Sequence, residues 1–147
     1  MNRADMIVER PTTPDDLAVS GEVDPDGAGL ASVAIRLVIG AAIRRAGHGT
    51  IRLEVHGDAL VVERGELVWL VTTNKGWAHL RGSATTDDGR QLPFRADLYS
   101  AAAVDDPGRD RVALRLYAQD ADPNLASPAF KLYGWLPHGS VALGRPG

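Results

Sequence analysis

The chain has 147 residues, 44% of them hydrophobic and 24% charged, the balance of one soluble domain with enough apolar surface for a core of its own. Cysteine is absent, which removes thiol nucleophiles, disulfide frameworks, Cys-ligated zinc and iron–sulfur clusters together. Its 16 Lys and Arg against 19 Asp and Glu give a net charge of -3, so no overall basic excess draws the chain to nucleic acid or an anionic membrane.

Arg36, Arg44 and Arg45 break the most apolar stretch, residues 30–46, so no membrane insertion is expected. Residues 1–14 carry Asp5, Glu9 and two prolines where a secretory signal has a basic start and an apolar run. The expectation is a chain without an export signal, which leaves a cytosolic protein and a piece of a longer one both open.

Residues 1–29 hold Pro11, Pro14 and Pro25, the acids Asp15, Asp16, Asp24 and Asp26, and Gly21, Gly27 and Gly29, a composition of turns and extended backbone. They are read as an acidic, mostly irregular N-terminal segment in which little packs tightly, with a short strand over 17–23. From Ser32 the period is two, with Val33, Ile35, Leu37 and Ile39 on one side and Ala34, Arg36 and Val38 on the other. A helical face through Leu30, Ala34, Leu37, Val38 and Ala41 competes. Gly40 and the β-branched residues favour the strand.

Residues 50–55 alternate cleanly, Ile51, Leu53 and Val55 inward, and stop at His56-Gly57-Asp58. Strands over 59–62 and 67–71 follow, joined by Glu63-Arg64-Gly65-Glu66, a polar tetrad whose glycine suits a hairpin turn. Asn74-Lys75-Gly76 leads into a strand over 77–85, and Asp87-Asp88-Gly89 into one over 91–99, where Leu92, Phe94, Ala96 and Leu98 alternate with Pro93, Arg95, Asp97 and Tyr99. After a loop built on Asp105-Asp106-Pro107-Gly108, Val112, Leu114 and Leu116 point one way and Arg111, Ala113, Arg115 and Tyr117 the other. A polar loop over 120–127 and short apolar strands over 130–136 and 140–143 close the chain. Eight or nine short strands without intervening helices predict an all-β protein. Its expected form is a single antiparallel β-sandwich over residues 30–147, with a β-barrel as the alternative.

His48, His56, His79 and His138 show no spacing that would set two imidazoles on one metal from one element. His79 stands out, because period two places it between Trp77 and Arg81 on one strand face; the plain alternative is an outward side chain on a solvated sheet. His48, His56 and His138 adjoin glycines and read as loop residues. Asp120, Asp122 and Asn124 fall at alternate positions like the opening of a calcium loop, yet Leu125 stands where its glycine belongs and Lys131 where its glutamate belongs. Turn formation accounts for these acids as well as calcium does.

No Gly-x-Ser-x-Gly elbow occurs, and in His138-Gly139-Ser140 neighbouring side chains diverge. Gly27-Ala28-Gly29 lacks the third glycine of a dinucleotide fingerprint. An enzyme is therefore not expected. Trp69, Trp77, Trp135, Tyr99, Tyr117 and Tyr133 could build a sugar-stacking face, although Trp69 lies in the apolar run Leu67-Val68-Trp69-Leu70-Val71 and is expected in the core. Arg81, Arg95, Arg111 and Arg115 suggest either a basic stripe or, by preference, cross-strand partners of Asp and Glu.

Several phrases in residues 49–143 share their order with a known module. Residues 50–55 with Gly57-Asp58-Ala59-Leu60, then Glu66-Leu67-Val68-Trp69-Leu70-Val71, Arg81-Gly82-Ser83-Ala84-Thr85 with Gly89, Phe94-Arg95-Ala96, and Asp110-Arg111-Val112-Ala113-Leu114-Arg115-Leu116-Tyr117 carry the likeness. Together they resemble the post-COAP module found near the C-termini of bacterial, largely actinobacterial, secreted and surface proteins. Ala84 departs from its hairpin glycine, Asp88 from its asparagine, Ser100 from an acid and Val112 from an aromatic residue. The resemblance implies a non-catalytic all-β accessory module, extracellular or in the cell envelope, with no catalytic residue to carry over. Three functions follow as expectations. The first is adhesion, display or spacing in such a protein. The second is a carbohydrate- or calcium-dependent binding module using Trp77, His79 and Trp135 or the Asp120, Asp122 and Asn124 turn, with calcium as the sole candidate cofactor. The third is a cytosolic protein-interaction domain. The partners of the surface readings are proteins or glycans, not nucleic acid.

Overall fold

The computed structural model of the chain describes residues 11–12, 16–23, 36–45, 48–56 and 61–143, with side chains described at 17–23, 62 and 65–143. Ten strands run through them: β1 (Pro11–Thr12), β2 (Asp16–Glu22), β3 (Arg36–Arg45), β4 (His48–His56), β5 (Val61–Thr73), β6 (Trp77–Thr86), β7 (Gln91–Tyr99), β8 (Asp110–Leu116), β9 (Phe130–Leu136) and β10 (Val141–Leu143). All their pairings are antiparallel. β5 to β9 form a five-strand meander, and β2 with β10 a two-strand ribbon. β3 and β4 link the two along the order β10-β2-β3-β4-β5-β6-β7-β8-β9, and β1 lies beside β5. β10 and β9 end that order unpaired with each other, so the sheet does not close and the barrel alternative falls away. The window that admitted strand or helix is a strand over its described residues; Val33 and Ile35 lie outside them. Among the described residues no helix is long and apolar enough to cross a membrane.

Alternation sorts the side chains, and register gathers them into rows. Leu92, Phe94, Ala96 and Leu98 of β7 are buried while Pro93, Arg95, Asp97 and Tyr99 take the opposite face. Leu70, Leu80, Ala96, Leu114 and Leu132 are successive cross-strand partners from β5 to β9, all buried. Each buried leucine stabilises the fold by about 1.5–3 kcal/mol. Leu17 and Val19 of β2 and Val141 of β10 complete the same core. The short strand expected over 17–23 is present as β2, and Leu17, Val19 and Val23 are at most 2% exposed. Alternation in one short strand suffices to sink them despite the surrounding turn residues; the rest of that segment apart from 11–12 and 16–23 lies outside the described residues. Tyr117, expected to face outward, is buried at 3% exposure. It follows the end of β8 and donates its N–H to the Pro93 carbonyl at 2.8 Å, beyond the reach of the strand's alternation.

Glu63-Arg64-Gly65-Glu66 makes no hairpin turn. β5 runs through it unbroken, because Gly65 and Glu66 pair with Ile51 and Thr50 of β4 on one side and with Ala84 and Ser83 of β6 on the other. Two flanking ladders hold the backbone extended where a turn would need to reverse it. Register shifts against β6 occur between Val62 and Arg64 and between Leu67 and Trp69. The second changes the strand's phase: Leu67 and Leu70 are both buried, with Val68 and Trp69 between them turned outward. Trp69 is therefore not a core residue. Opposite this bulge, a Cβ on Gly82 would collide with the Glu66 carbonyl oxygen and stand 2.7 Å from Cε1 of Phe94, whose ring covers its glycine partner across the ladder.

The free edge of β10 is satisfied by side chains. The N–H of Val141 donates to Oδ2 of Asp110 at 2.7 Å, and the Ser100 hydroxyl donates to the Val141 carbonyl at 2.9 Å. Oδ1 of Asp110 accepts the N–H of Ala101 at 2.9 Å. Asp110 and Ser100 are themselves buried, so these bonds settle backbone groups that would otherwise be buried without partners.

Candidate functional site

The outer face of β6 to β9 collects four aromatic and five cationic side chains. Four strands with period two in fixed register leave three rows facing outward, with about 4.8 Å between strands. Trp77, Tyr99, Arg111 and Trp135 are successive cross-strand partners in the first row; His79, Asp97, Ala113 and Tyr133 make the second; Arg81, Arg95, Arg115 and Lys131 make the third. The structure thus brings the predicted ligand residues Trp77, His79 and Trp135 onto one face, with β7 and β8 between the two tryptophans.

Among the described residues, three of the four arginines meet rings or an amide instead of the carboxylates expected of them. The guanidinium carbon of Arg111 stands 4.4 Å from the Trp135 ring centroid and 5.9 Å from that of Tyr99, Arg81 stands 5.3 Å from Trp69, and Arg115 5.1 Å from Tyr133. Such contacts are worth about 0.5–1 kcal/mol each at exposed sites. Arg95 donates to Oδ1 of Asn124, and its buried Nε has no hydrogen-bond partner among the described residues. Among the described residues only Arg115 of the four reaches a carboxylate, Asp97, at 3.1 Å. Register is the cause, because it places Arg95 opposite Arg81 and Arg115 rather than opposite an acid. The outward positions of these four strands carry five cations, Lys131 being the fifth, against the single carboxylate of Asp97.

Asp97 sits at the centre of this face. Its Oδ1 accepts Nδ1–H of His79 at 2.6 Å while Oδ2 accepts from Arg115, and Nε of Arg115 donates to the Tyr133 hydroxyl at 2.8 Å. The His79 ring lies parallel to Trp77, with 6.3 Å between centroids and 6° between planes, and Trp77 in turn tilts against Tyr99 at 5.1 Å. His79 is thus flanked by the predicted indole, but by the Asp97 carboxylate instead of Arg81, which turns to Trp69. The short side chain of Ala113 leaves an open depression of about 410 Å³ lined by Trp77, His79, Asp97, Ala113 and Arg115. No family model, curated protein or solved structure matches this chain. The likeness to the post-COAP module rests on its quoted residues alone.

The remaining candidates lie in turns and at strand ends. Asp120, Asp122 and Asn124 lie between β8 and β9, where Oδ1 of Asp122 accepts the N–H of Asn124 at 2.9 Å and Oδ1 of Asn124 is held by Arg95. Calcium requires six to eight oxygens, and a guanidinium occupies one of the few this turn offers, so its donor set does not fit the ion. No group of three or more His, Asp or Glu among the described residues is placed to hold a metal. Asp88 accepts from the Thr86 hydroxyl and from Nε of Arg90 at 2.9 Å, in that order the main causes that lower its pKa to about 2. Asp106 accepts the Tyr99 hydroxyl at 2.7 Å and the Gly108 N–H at 2.8 Å. The Tyr99 bond is the foremost cause that lowers the Asp106 pKa and raises that of Tyr99. Nδ1–H of His138 donates to the Gly108 carbonyl at 2.7 Å from a turn. His48 and His56 end β4 rather than standing in loops, and their side chains lie outside the described ones.

Sequence reasoning missed Asp97, Ala113 and Lys131. Their shared face was visible in the alternation of each strand, but their proximity required the β7/β8 and β8/β9 registers.

Proposed function

We propose that this chain is a non-catalytic β-sandwich module that binds a glycan through the outer face of β6–β9, as an accessory part of a secreted or cell-surface protein. The observation that carries the reading is the gathering, in register, of Trp77, Tyr99, Tyr133 and Trp135 with five cations on one outward sheet surface. Aromatic rings offer apolar area to a sugar's C–H faces, while Arg and His offer hydrogen bonds to its oxygens. The sandwich form is favoured because β2 and β10 share a core with β5–β9, so distant parts of the strand order turn inner faces to each other. Binding is favoured over covalent turnover because Trp77, Ala113 and Arg115 around the His79–Asp97 pair bear neither hydroxyl nor thiol. The surface placement draws on the post-COAP likeness.

The test is binding of the full chain to a panel of neutral and acidic glycans, beside Trp77→Ala and Trp135→Ala. At least one glycan should bind, and each variant should weaken it at least ten-fold with an unchanged melting curve. Absence of binding across the panel, or specific turnover of a substrate, overturns the reading. Fractionation of the native host that recovers the chain only with cytosol removes its surface placement.

A further inference from the structure

We infer that the glycan is a linear acidic polysaccharide with one carboxylate per sugar, laid across the strands along the Arg81, Arg95, Arg115 and Lys131 row. The inference rests on the reading of the β6–β9 outer face as the binding surface, and adds the chemistry and direction of the ligand.

Charge comes first. A chain of net charge -3 presents five cations and one carboxylate on this face, and Asp97 is already engaged by His79 and Arg115. Arg81 and Lys131 are exposed, and among the described residues neither meets a carboxylate. The face therefore attracts anions although the whole chain does not.

Geometry adds direction. The third row sets one cation per strand, a repeat of about 4.8 Å over roughly 14 Å, a continuous line of positive charge for the carboxylates of an acidic polysaccharide. Guanidinium groups lie over Trp69, Tyr133, Trp135 and Tyr99. Those rings anchor the guanidiniums. A planar fork of parallel N–H donors matches the two oxygens of a carboxylate.

Binding of the full chain to polygalacturonate is measured by calorimetry or affinity electrophoresis in one buffer, beside fully methyl-esterified polygalacturonate and a single-stranded oligothymidylate. Polygalacturonate should bind, and the ester and the oligothymidylate should each bind at least ten-fold more weakly. Arg81→Glu with Lys131→Glu, both at exposed positions, should weaken polygalacturonate at least ten-fold with the parent's circular dichroism spectrum retained. Arg95→Gln, measured separately, should weaken it several-fold. Equal binding of acid and ester forms overturns the inference and leaves the glycan-binding face standing. Full affinity in the doubly substituted chain overturns the proposed row, and preference for the oligothymidylate overturns the ligand class. Absence of binding to either polymer, with no response in the wider glycan panel, removes the inference and the binding reading together.

Discussion

Asp110→Ala should destabilise the fold more than a change at any outward position. Each of its carboxylate oxygens accepts one backbone N–H, from Ala101 at 2.9 Å and from Val141 at 2.7 Å, in a side chain with 0% exposure. A hydrogen bond to a charged group contributes about 1.5–3 kcal/mol, so removing both costs about 3–6 kcal/mol. That is a large part of the 5–15 kcal/mol typical of a domain. Asp110→Asn is the sharper probe, because it keeps one acceptor oxygen and turns an NH2 donor toward the second N–H. It should cost about half as much at nearly constant volume. Ser100→Ala removes the donor to the Val141 carbonyl and an acceptor of the Ala103 N–H at 3.3 Å and should cost about 1–2 kcal/mol. Urea unfolding gives all three, with the midpoint falling at constant m, and the Val141 amide should lose hydrogen-exchange protection. An Asp110→Ala unfolding free energy within about 0.5 kcal/mol of the parent's would refute the view that these bonds hold β10 in place.

Three further outcomes are expected. Gly82→Ala should cost about 3 kcal/mol, because its methyl group meets the Glu66 carbonyl and the Phe94 ring, whereas Gly89→Ala meets open space and carries only the strain of φ +86, about 1 kcal/mol. The Asp88 carboxylate should titrate near pH 2 by NMR, and Thr86→Val should return it toward 3.8. Because its folded pKa is depressed, the associated stabilisation is present above the unfolded value and lost as pH falls toward 2. Tyr99→Phe should raise the Asp106 pKa, and Asp106→Asn should let the Tyr99 phenol ionise at lower pH, both by direct titration.

The all-β class and most strands were legible because alternation is a local property that Leu92, Phe94, Ala96 and Leu98 state without help from the rest of the chain. The short 87–89 turn also fixes the register that sets Trp77 opposite Tyr99. Loops over 100–109 and 117–129 hide the registers of β8 and β9, so Arg111 over Trp135 could not be foreseen. Trp69 was misplaced because a bulge shifts phase without altering the apolar run around it. The anchoring role of Asp110 was not legible, since its partners at Ala101 and Val141 belong to tertiary structure.

Arg95 faces Arg81 and Arg115 directly across the ladder, with Lys131 beyond Arg115. Like charges so placed weaken a sheet by roughly 0.2–1 kcal/mol per pair. A Debye length of about 10 Å at 0.1 M salt scarcely screens neighbours about 4.8 Å apart. The folded chain therefore stores repulsion that counterions relieve: molar sodium chloride should raise its melting temperature, and should do so less once Arg95 is glutamine. The same sheet gains thermal resistance whenever its outer surface is neutralised, which makes occupancy itself a source of rigidity.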